Sequence, residues 1–334
     1  MSNTLHPKRD WQQELIHAVT DPDELCRLLE LNPQKLQTAA GKTLANFPLK
    51  VPRGFIARMQ KGNPADPLLR QVFPFSAEDQ KRQHYTADPL REKNVNPVSG
   101  LLHKYQGRVL LTLTGVCAIN CRFCFRRHFP YAENNPSQLE WEKIFAYIKK
   151  DTSIQEVILS GGDPLLSNDR VLSALTERLS TIPQVKRLRI HSRIPIVLPE
   201  RINEAFVAWI SSLKQTPVLV THCNHPQEIN ETVREAMQLL KQAGVTLLNQ
   251  AVLLKGINDA VETQVALSEA LFSAGIQPYY LHLFDKVQGA AHFDLELARA
   301  KKLYRQLSHH LPGYLLPKLA RETVGEGAKT LFGT

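Results

Sequence analysis

Val109-Leu-Leu-Thr-Leu-Thr114, followed shortly by Cys117-Ala-Ile-Asn-Cys121-Arg-Phe-Cys124, is the stretch on which the reading of this chain turns. The apolar run reads as a buried strand, and three cysteines at CxxxCxxC spacing come directly after it. No fourth cysteine lies near them, and Cys26 and Cys223 read as isolated apolar core residues. Thiolates so spaced can hold a [4Fe–4S] cluster, which normally takes four. With three, one iron keeps an open position where a small molecule can bind and receive an electron. Zinc is the competing reading, but structural zinc sites usually draw two ligands from each of two separated pairs. No second pair is present. A disulfide fits less well, because three clustered thiols cannot pair evenly.

Downstream of residue 107 the pattern becomes a βα alternation. Strands are expected at 107–114, 155–160, 186–191, 217–222, 245–252 and 278–283. Amphipathic helices are expected near 138–150, 168–180, 200–213, 229–243, 260–274 and 294–309. Nearly continuous apolar strands imply a parallel sheet covered on both faces. Six βα units fall short of a closed eightfold barrel, so the expected fold is an α/β partial (β/α)6 barrel. In such folds function collects at the carboxyl ends of the strands. There the chain places the cysteine loop, Ser160-Gly-Gly-Asp-Pro-Leu165, His191-Ser-Arg-Ile-Pro, Thr221-His-Cys-Asn-His-Pro226, Asn249-Gln250 and His282-Leu-Phe-Asp285. Gly161 and Gly162 are the type of residue that lets backbone amides approach a ligand closely.

Residues 1–105 read differently, as an N-terminal helical cap with a long proline-rich wrapping segment. Asp10 and Asp21 are expected to cap two helices, and a third starts at Phe55. For residues 1–100 the default is packing without chemistry. The core then spans 106–310, and 311–334 form a C-terminal segment. With 43% hydrophobic and 22% charged residues the composition is that of a globular protein. No apolar run is long enough to span a bilayer, and the N-terminus lacks a signal-peptide core, so a cytoplasmic protein without a membrane partner is expected. The net charge of +9 is spread without a basic block interleaved with aromatics, which argues against nucleic acid as partner.

The cysteine motif, with Phe123 before its last cysteine, resembles the signature of radical S-adenosylmethionine (SAM) enzymes. A narrower resemblance rests on His103-Lys-Tyr-Gln-Gly-Arg-Val-Leu-Leu, Phe125-Arg-Arg-His-Phe, Ser160-Gly-Gly-Asp-Pro-Leu, His191-Ser-Arg-Ile-Pro, Asn249-Gln-Ala-Val-Leu-Leu-Lys-Gly-Ile-Asn-Asp and Pro312-Gly-Tyr. Their order and spacing, over residues 70 to 330, look like the lysine 2,3-aminomutase family. Chain length fits its short branch, which lacks the cysteine-bearing C-terminal extension and supplies β-lysine for modifying translation elongation factor P.

The resemblance implies a radical SAM (β/α)6 core and three cofactors: the [4Fe–4S] cluster, SAM and pyridoxal 5′-phosphate (PLP). It makes Cys117, Cys121 and Cys124 the metal ligands and puts Ser160, Gly161, Gly162 and Asp163 at SAM. It makes Lys329, in Gly325-Glu-Gly-Ala-Lys329, the lysine that carries PLP, although Glu326 and Ala328 interrupt the family's glycine run. Lys104, Tyr105 and Arg108 match the phosphate-binding positions, with lysine at 104 where the family usually has arginine. Arg126 matches the arginine that holds the substrate carboxylate. Asp285 and Glu322 match the two acids that receive the substrate ε-ammonium, with Glu322 in place of aspartate. His222 and Gln250 line the cofactor site. The implied reaction is 2,3-amino migration on L-lysine to give (R)-β-lysine. The implied functional partners are an electron donor, elongation factor P and its lysyl ligase, with a homo-oligomer as a further expectation. Competing readings are an aminomutase for arginine or glutamate, a radical SAM enzyme without PLP, and an electron-transfer or iron-sensing protein.

Overall fold

The computed structural model describes residues 10–36, 38–39, 41–131 and 138–332; the N-terminal stretch 1–9, read above for a signal peptide, lies outside them. Among the described residues nine strands form one sheet in chain order: β1 (Leu101–Tyr105), β2 (Arg108–Thr114), β3 (Glu156–Gly161), β4 (Arg187–Ser192), β5 (Thr216–Thr221), β6 (Thr246–Val252), β7 (Gln277–His282), β8 (Lys318–Arg321) and β9 (Thr330–Leu331). Strands β2 to β8 are parallel, and β1 and β9 flank them antiparallel. The six expected strands are β2 to β7, each end within one residue of the reading. The helices between them are also present, at Gln138–Lys150, Asp169–Leu179, Glu204–Ser211, Glu231–Gln242, Val261–Ser273 and Leu297–His310. The seventh parallel strand and the two antiparallel edges were not expected. At four residues, Lys318-Leu-Ala-Arg is too short to show a period, and pairing with β7 defines it.

Burial along the strands separates two faces. In β4, Leu188, Ile190 and Ser192 are buried beneath the helices, while Arg189 and His191 are half-buried and turn the other way. Strand β6 repeats the alternation, with Leu247, Asn249 and Ala251 buried and Gln250 half-buried. The sheet therefore curls around a lumen lined by polar side chains. Asn168, Asn203 and Asn230 cap the helices that follow β3, β4 and β5, each accepting a backbone N–H three residues on.

The cap shares its apolar core with the sheet: Leu25, Phe55, Leu68 and Phe73 lie in one continuous cluster with Val157 and Leu188. Asp10 and Asp21 cap short helices, as read, and the helix expected from Phe55 is a single turn, Arg53–Ile56. Cys26 and Cys223 are buried. The segment also packs directly against the cysteine loop. Cap carbonyls receive the amides of the cysteine loop, Asn120 N–H donating to Lys50 O at 3.0 Å and Arg122 N–H to Gln71 O at 2.8 Å. Cap carboxylates also reach the residues described next.

Candidate active site

The cysteine loop leaves the carboxyl end of β2 and is held by charge. Arg122, fully buried between Cys121 and Cys124, donates Nε and Nη2 to the two oxygens of Glu78 at 2.7 and 2.6 Å, and Nη1 to Phe47 O at 2.6 Å. Arg127 adds an N–H to the same carboxylate at 2.6 Å. Both guanidinium groups lie 4.8 Å from the centre of the Phe47 ring. On the other side Arg193 donates to Cys121 Sγ at 2.6 Å, Gln71 Oε1 at 2.7 Å and Glu228 Oε2 at 3.0 Å. Arg193 belongs to the His191-Ser-Arg-Ile-Pro segment read at the end of the third expected strand, whereas Glu78, Gln71 and Glu228 were not read from the sequence. The available signal was indirect: Arg122, Arg126 and Arg127 around the cysteines demand counter-charges, but spacing does not say from where.

The three thiols carry no disulfide. Burial, and then the nearby Cys124 thiol, push the Cys117 thiol well above its ordinary range. Burial and Cys121 push Cys124 up to about 11, and burial raises Cys121 against the pull of Arg193. Cationic iron among them reverses that preference and yields thiolates. Among the described residues no three His, Cys, Asp or Glu side chains converge as ligands of a single metal ion. A cluster makes a different demand, since each thiolate takes its own iron. The donor set fits a cluster.

Gly161 and Gly162 stand where a side chain would not fit. Gly161 has φ +120°, and a Cβ there would stand 2.5 Å from Thr114 O. A Cβ at Gly162 would overlap Val116 O and lie 2.7 Å from Val116 N. The Gly162 amide donates to Thr114 O at 2.6 Å and the Asp163 amide to Val116 O at 2.9 Å. These glycines seat the Ser160–Asp163 loop against the chain leading into the cysteines, rather than leaving both amides free for a ligand. Asp163 accepts from Ser192 Oγ at 2.7 Å, Arg193 N at 2.8 Å, and Ile194 N and Leu165 N at 3.1 Å, and burial pushes its carboxyl up to about 6. Its oxygens pin the loop to the end of β4. Gly162→Ala is therefore expected to shift this junction at a cost of about 1–3 kcal/mol and to lower the iron bound after reconstitution. Full iron loading in the variant would contradict it.

A line of alternating charges runs from the cysteine loop across the lumen. Arg126 donates Nε to Glu92 Oε2 at 2.7 Å, Nη2 to Glu92 Oε1 at 2.8 Å and Nη1 to Ser160 Oγ at 3.0 Å. Lys104 Nζ bridges Glu92 Oε1 at 3.0 Å and Glu322 Oε1 at 2.6 Å. Lys329 Nζ donates to Glu322 Oε2 at 3.2 Å. Burial alone would raise both carboxylates; Arg126 and Lys104 hold Glu92 below its ordinary range, and Lys329 and Lys104 bring Glu322 down to about 2. Asp285 lies within the field of this line, and burial, then Glu322, push it up to about 7. The structure thus joins Arg126, Lys104, Glu322 and Lys329 through Glu92, which sequence reading missed. It turns Lys104 toward carboxylates rather than toward Arg108.

The lumen wall between these charges is polar and uncharged. His222 shares a 2.8 Å contact between Nε2 and Gln250 Nε2 and packs edge-on against His191. Burial, followed by neighbouring cations, lowers His191, His222 and His282 alike, His222 to about 3. At the amino ends of the strands Arg108 lies 4.5 Å over the Tyr105 ring and lines a cavity of about 450 Å³ with Glu156, Arg187 and Arg189. Arg189 pairs with Glu156, but its Nε is buried without a partner among the described residues. An anion there would satisfy that N–H and relieve the repulsion between Arg108 and Arg189. Tyr280 stands between, its phenol in the field of both arginines and its ring 5.8 Å from Lys329 Nζ. The residues present fit a phosphate-bearing group on Lys329.

Comparison with known proteins supplies the family. The Radical SAM superfamily profile matches residues 111–263. The L-lysine 2,3-aminomutase of Escherichia coli K12 is 50% identical over 323 residues, 97% of this chain and 94% of the relative. That of Haemophilus influenzae is 46% identical over 329 residues, 98% and 97% of the two chains. That of Clostridium subterminale is 34% identical over 323 residues, 96% of this chain and 77% of the relative. With identity of this order along nearly its full length, and its cysteines inside the matched profile, the chain belongs to the lysine 2,3-aminomutase family of radical SAM isomerases, whose cofactors are a [4Fe–4S] cluster, SAM and PLP.

Proposed function

We propose that the protein converts L-α-lysine to (R)-β-lysine by 2,3-amino migration and supplies that product for modification of elongation factor P. The observation that carries the chemistry is the line of charges that begins at Arg126, two residues after Cys124, and ends at Lys329. Cys117, Cys121 and Cys124 would hold the cluster, the Ser160–Asp163 loop SAM, and Lys329 PLP, with Arg108, Tyr105 and Arg189 toward its phosphate. When bound, the cluster with SAM supplies one-electron chemistry, and PLP carries the migrating amino group.

The chain's own residues bind and orient. Arg126 keeps one N–H on each terminal nitrogen for a substrate carboxylate, a planar match. Asp285 and Glu322 receive the side-chain ammonium, and two carboxylates offset its desolvation better than one. The same pair repels an acidic side chain, which favours lysine over glutamate. Glu322 also keeps the Lys329 amine in place when it is not engaged. The neutral imidazoles of His191, His222 and His282 add no charge to compete with the substrate ammonium. The link to elongation factor P and its lysyl ligase rests on resemblance to the short branch. Its own check is the mass of elongation factor P in cells with and without this gene.

Anaerobic incubation of reconstituted protein with SAM, PLP, dithionite and L-lysine tests the reading, with amino acids resolved by chiral chromatography. Formation of (R)-β-lysine, absent in Cys124→Ala, is the expected result. SAM cleavage with lysine unchanged would leave the radical chemistry standing and remove the substrate assignment; turnover of arginine instead would replace it. The carboxyl of Asp285 adds a pH signature. Raised to about 7, it is mostly protonated below that pH and ionised above it. Lysine affinity is expected to rise between pH 6 and 8, by up to about tenfold per unit below the pKa. In Asp285→Asn that slope should vanish; a slope that persists would assign it to another group.

A further inference from the structure

Glu92 comes from the end of the wrapping segment, just ahead of β1, and its carboxylate is 3% exposed and sits between the cations of Arg126 and Lys104. Its delivery is built into the backbone. Asp88 Oδ1 accepts the Glu92 amide at 3.0 Å, and Arg91, just before it, has the left-handed φ of +49°. A non-glycine residue in that region is held there by its surroundings against its own preference. The chain accepts this strain at the point where the glutamate turns inward.

The carboxylate takes a particular part of Arg126. A guanidinium has five N–H donors. Nε and one N–H of Nη2 go to Glu92, and one N–H of Nη1 goes to Ser160 Oγ. Three of five are used, and those left are one on each terminal nitrogen. Glu92 thus fixes the plane and rotation of the guanidinium from its side edge, while its second cation, Lys104, keeps Glu92 itself from turning away.

We propose that Glu92 is the positioning residue for substrate carboxylate recognition, holding Arg126 by its side edge so that the two terminal nitrogens face the carboxylate of an α-amino acid. The inference rests on the reading of Arg126 as the carboxylate-binding residue and adds the group that aims it.

The test compares ligands rather than turnover. Reconstituted holoenzyme without SAM is titrated calorimetrically with L-lysine and with L-lysinamide, which keeps both amino groups and lacks the carboxylate charge. Glu92→Gln is expected to weaken lysine by about ten- to hundredfold, the scale of a lost charged hydrogen bond, and to leave lysinamide unchanged. Glu92→Asp keeps the charge but moves it by a methylene, and carries the same expectation if the glutamine variant does not fold. Equal weakening of both ligands would make Glu92 merely structural and overturn the inference. Tighter lysine binding would overturn it too, because Glu92 would then compete with the substrate for Arg126. Arg126→Lys separates the two readings. If it loses lysine selectively while the Glu92 variants do not, only the role of Glu92 falls. If it treats both ligands alike, the assignment of Arg126 falls with it.

Discussion

Glu78→Ala is expected to lower the stability of the protein by about 3–5 kcal/mol, the cost of removing one partner from a buried ion pair. Glu78 accepts three N–H groups from Arg122 and Arg127, and its side chain and that of Arg122 are wholly out of water. Alanine would leave two guanidinium groups against the Phe47 ring with only backbone carbonyls to answer them. A loss of that size is a large share of the total stability of about 5–15 kcal/mol typical of a folded protein. Urea unfolding of the apoprotein measures it. Since Arg122 lies between two cysteines, iron uptake on reconstitution should fall together with stability. Glu78→Gln keeps the volume and one acceptor, and should lie between alanine and the parent. An alanine variant unfolding within about 1 kcal/mol of the parent, inside the range of surface changes, would show that the paired charges offset their own desolvation and nothing more.

The second large effect is on chemistry alone. Lys329→Ala is expected to abolish β-lysine formation and to release PLP on dialysis, while the unfolding midpoint stays close to that of the parent. Lys329 is half-buried just before β9, and among the described residues its side chain hydrogen-bonds to Glu322, which keeps Lys104 as partner at 2.6 Å. Lys329→Arg should behave like alanine, because it restores the charge on Glu322 without an amine able to bond to the cofactor. β-Lysine made by either variant would remove Lys329 from the chemistry.

Six of the seven parallel strands were legible because each is an apolar or alternating run bounded by polar residues, β8 being too short, and the helices because their periods are long enough to register. The cysteine loop was legible because its meaning is local: three thiols within eight residues state their own chemistry. Glu92, Glu78 and Glu228 were not. Each is a lone glutamate in a polar or irregular stretch, and what distinguishes it is a cation brought near only by the fold, at Arg126, Arg122 and Arg193 respectively. Gly161 and Gly162 were read as glycines that matter, but for approach to a ligand; their closest neighbours are the carbonyls of Thr114 and Val116. Lys104 and Glu322 were read at different ends of the substrate and cofactor, and the structure places them 2.6 Å apart. Each looked in isolation like a departure from a family pattern. Paired, the longer acid reaches the compact ammonium.

The contacts of the cysteine loop also impose an order on the making of the protein. Phe47, Lys50, Gln71 and Glu78 leave the ribosome before the first of the three cysteines, and the N-terminal part of a chain generally takes shape first. The cradle for the arginines is thus synthesised ahead of the loop it receives. Glu228 and Arg193, which close the other side around Cys121, arrive after it. Until they do, the groups that close that flank of Cys121 are missing from the growing chain.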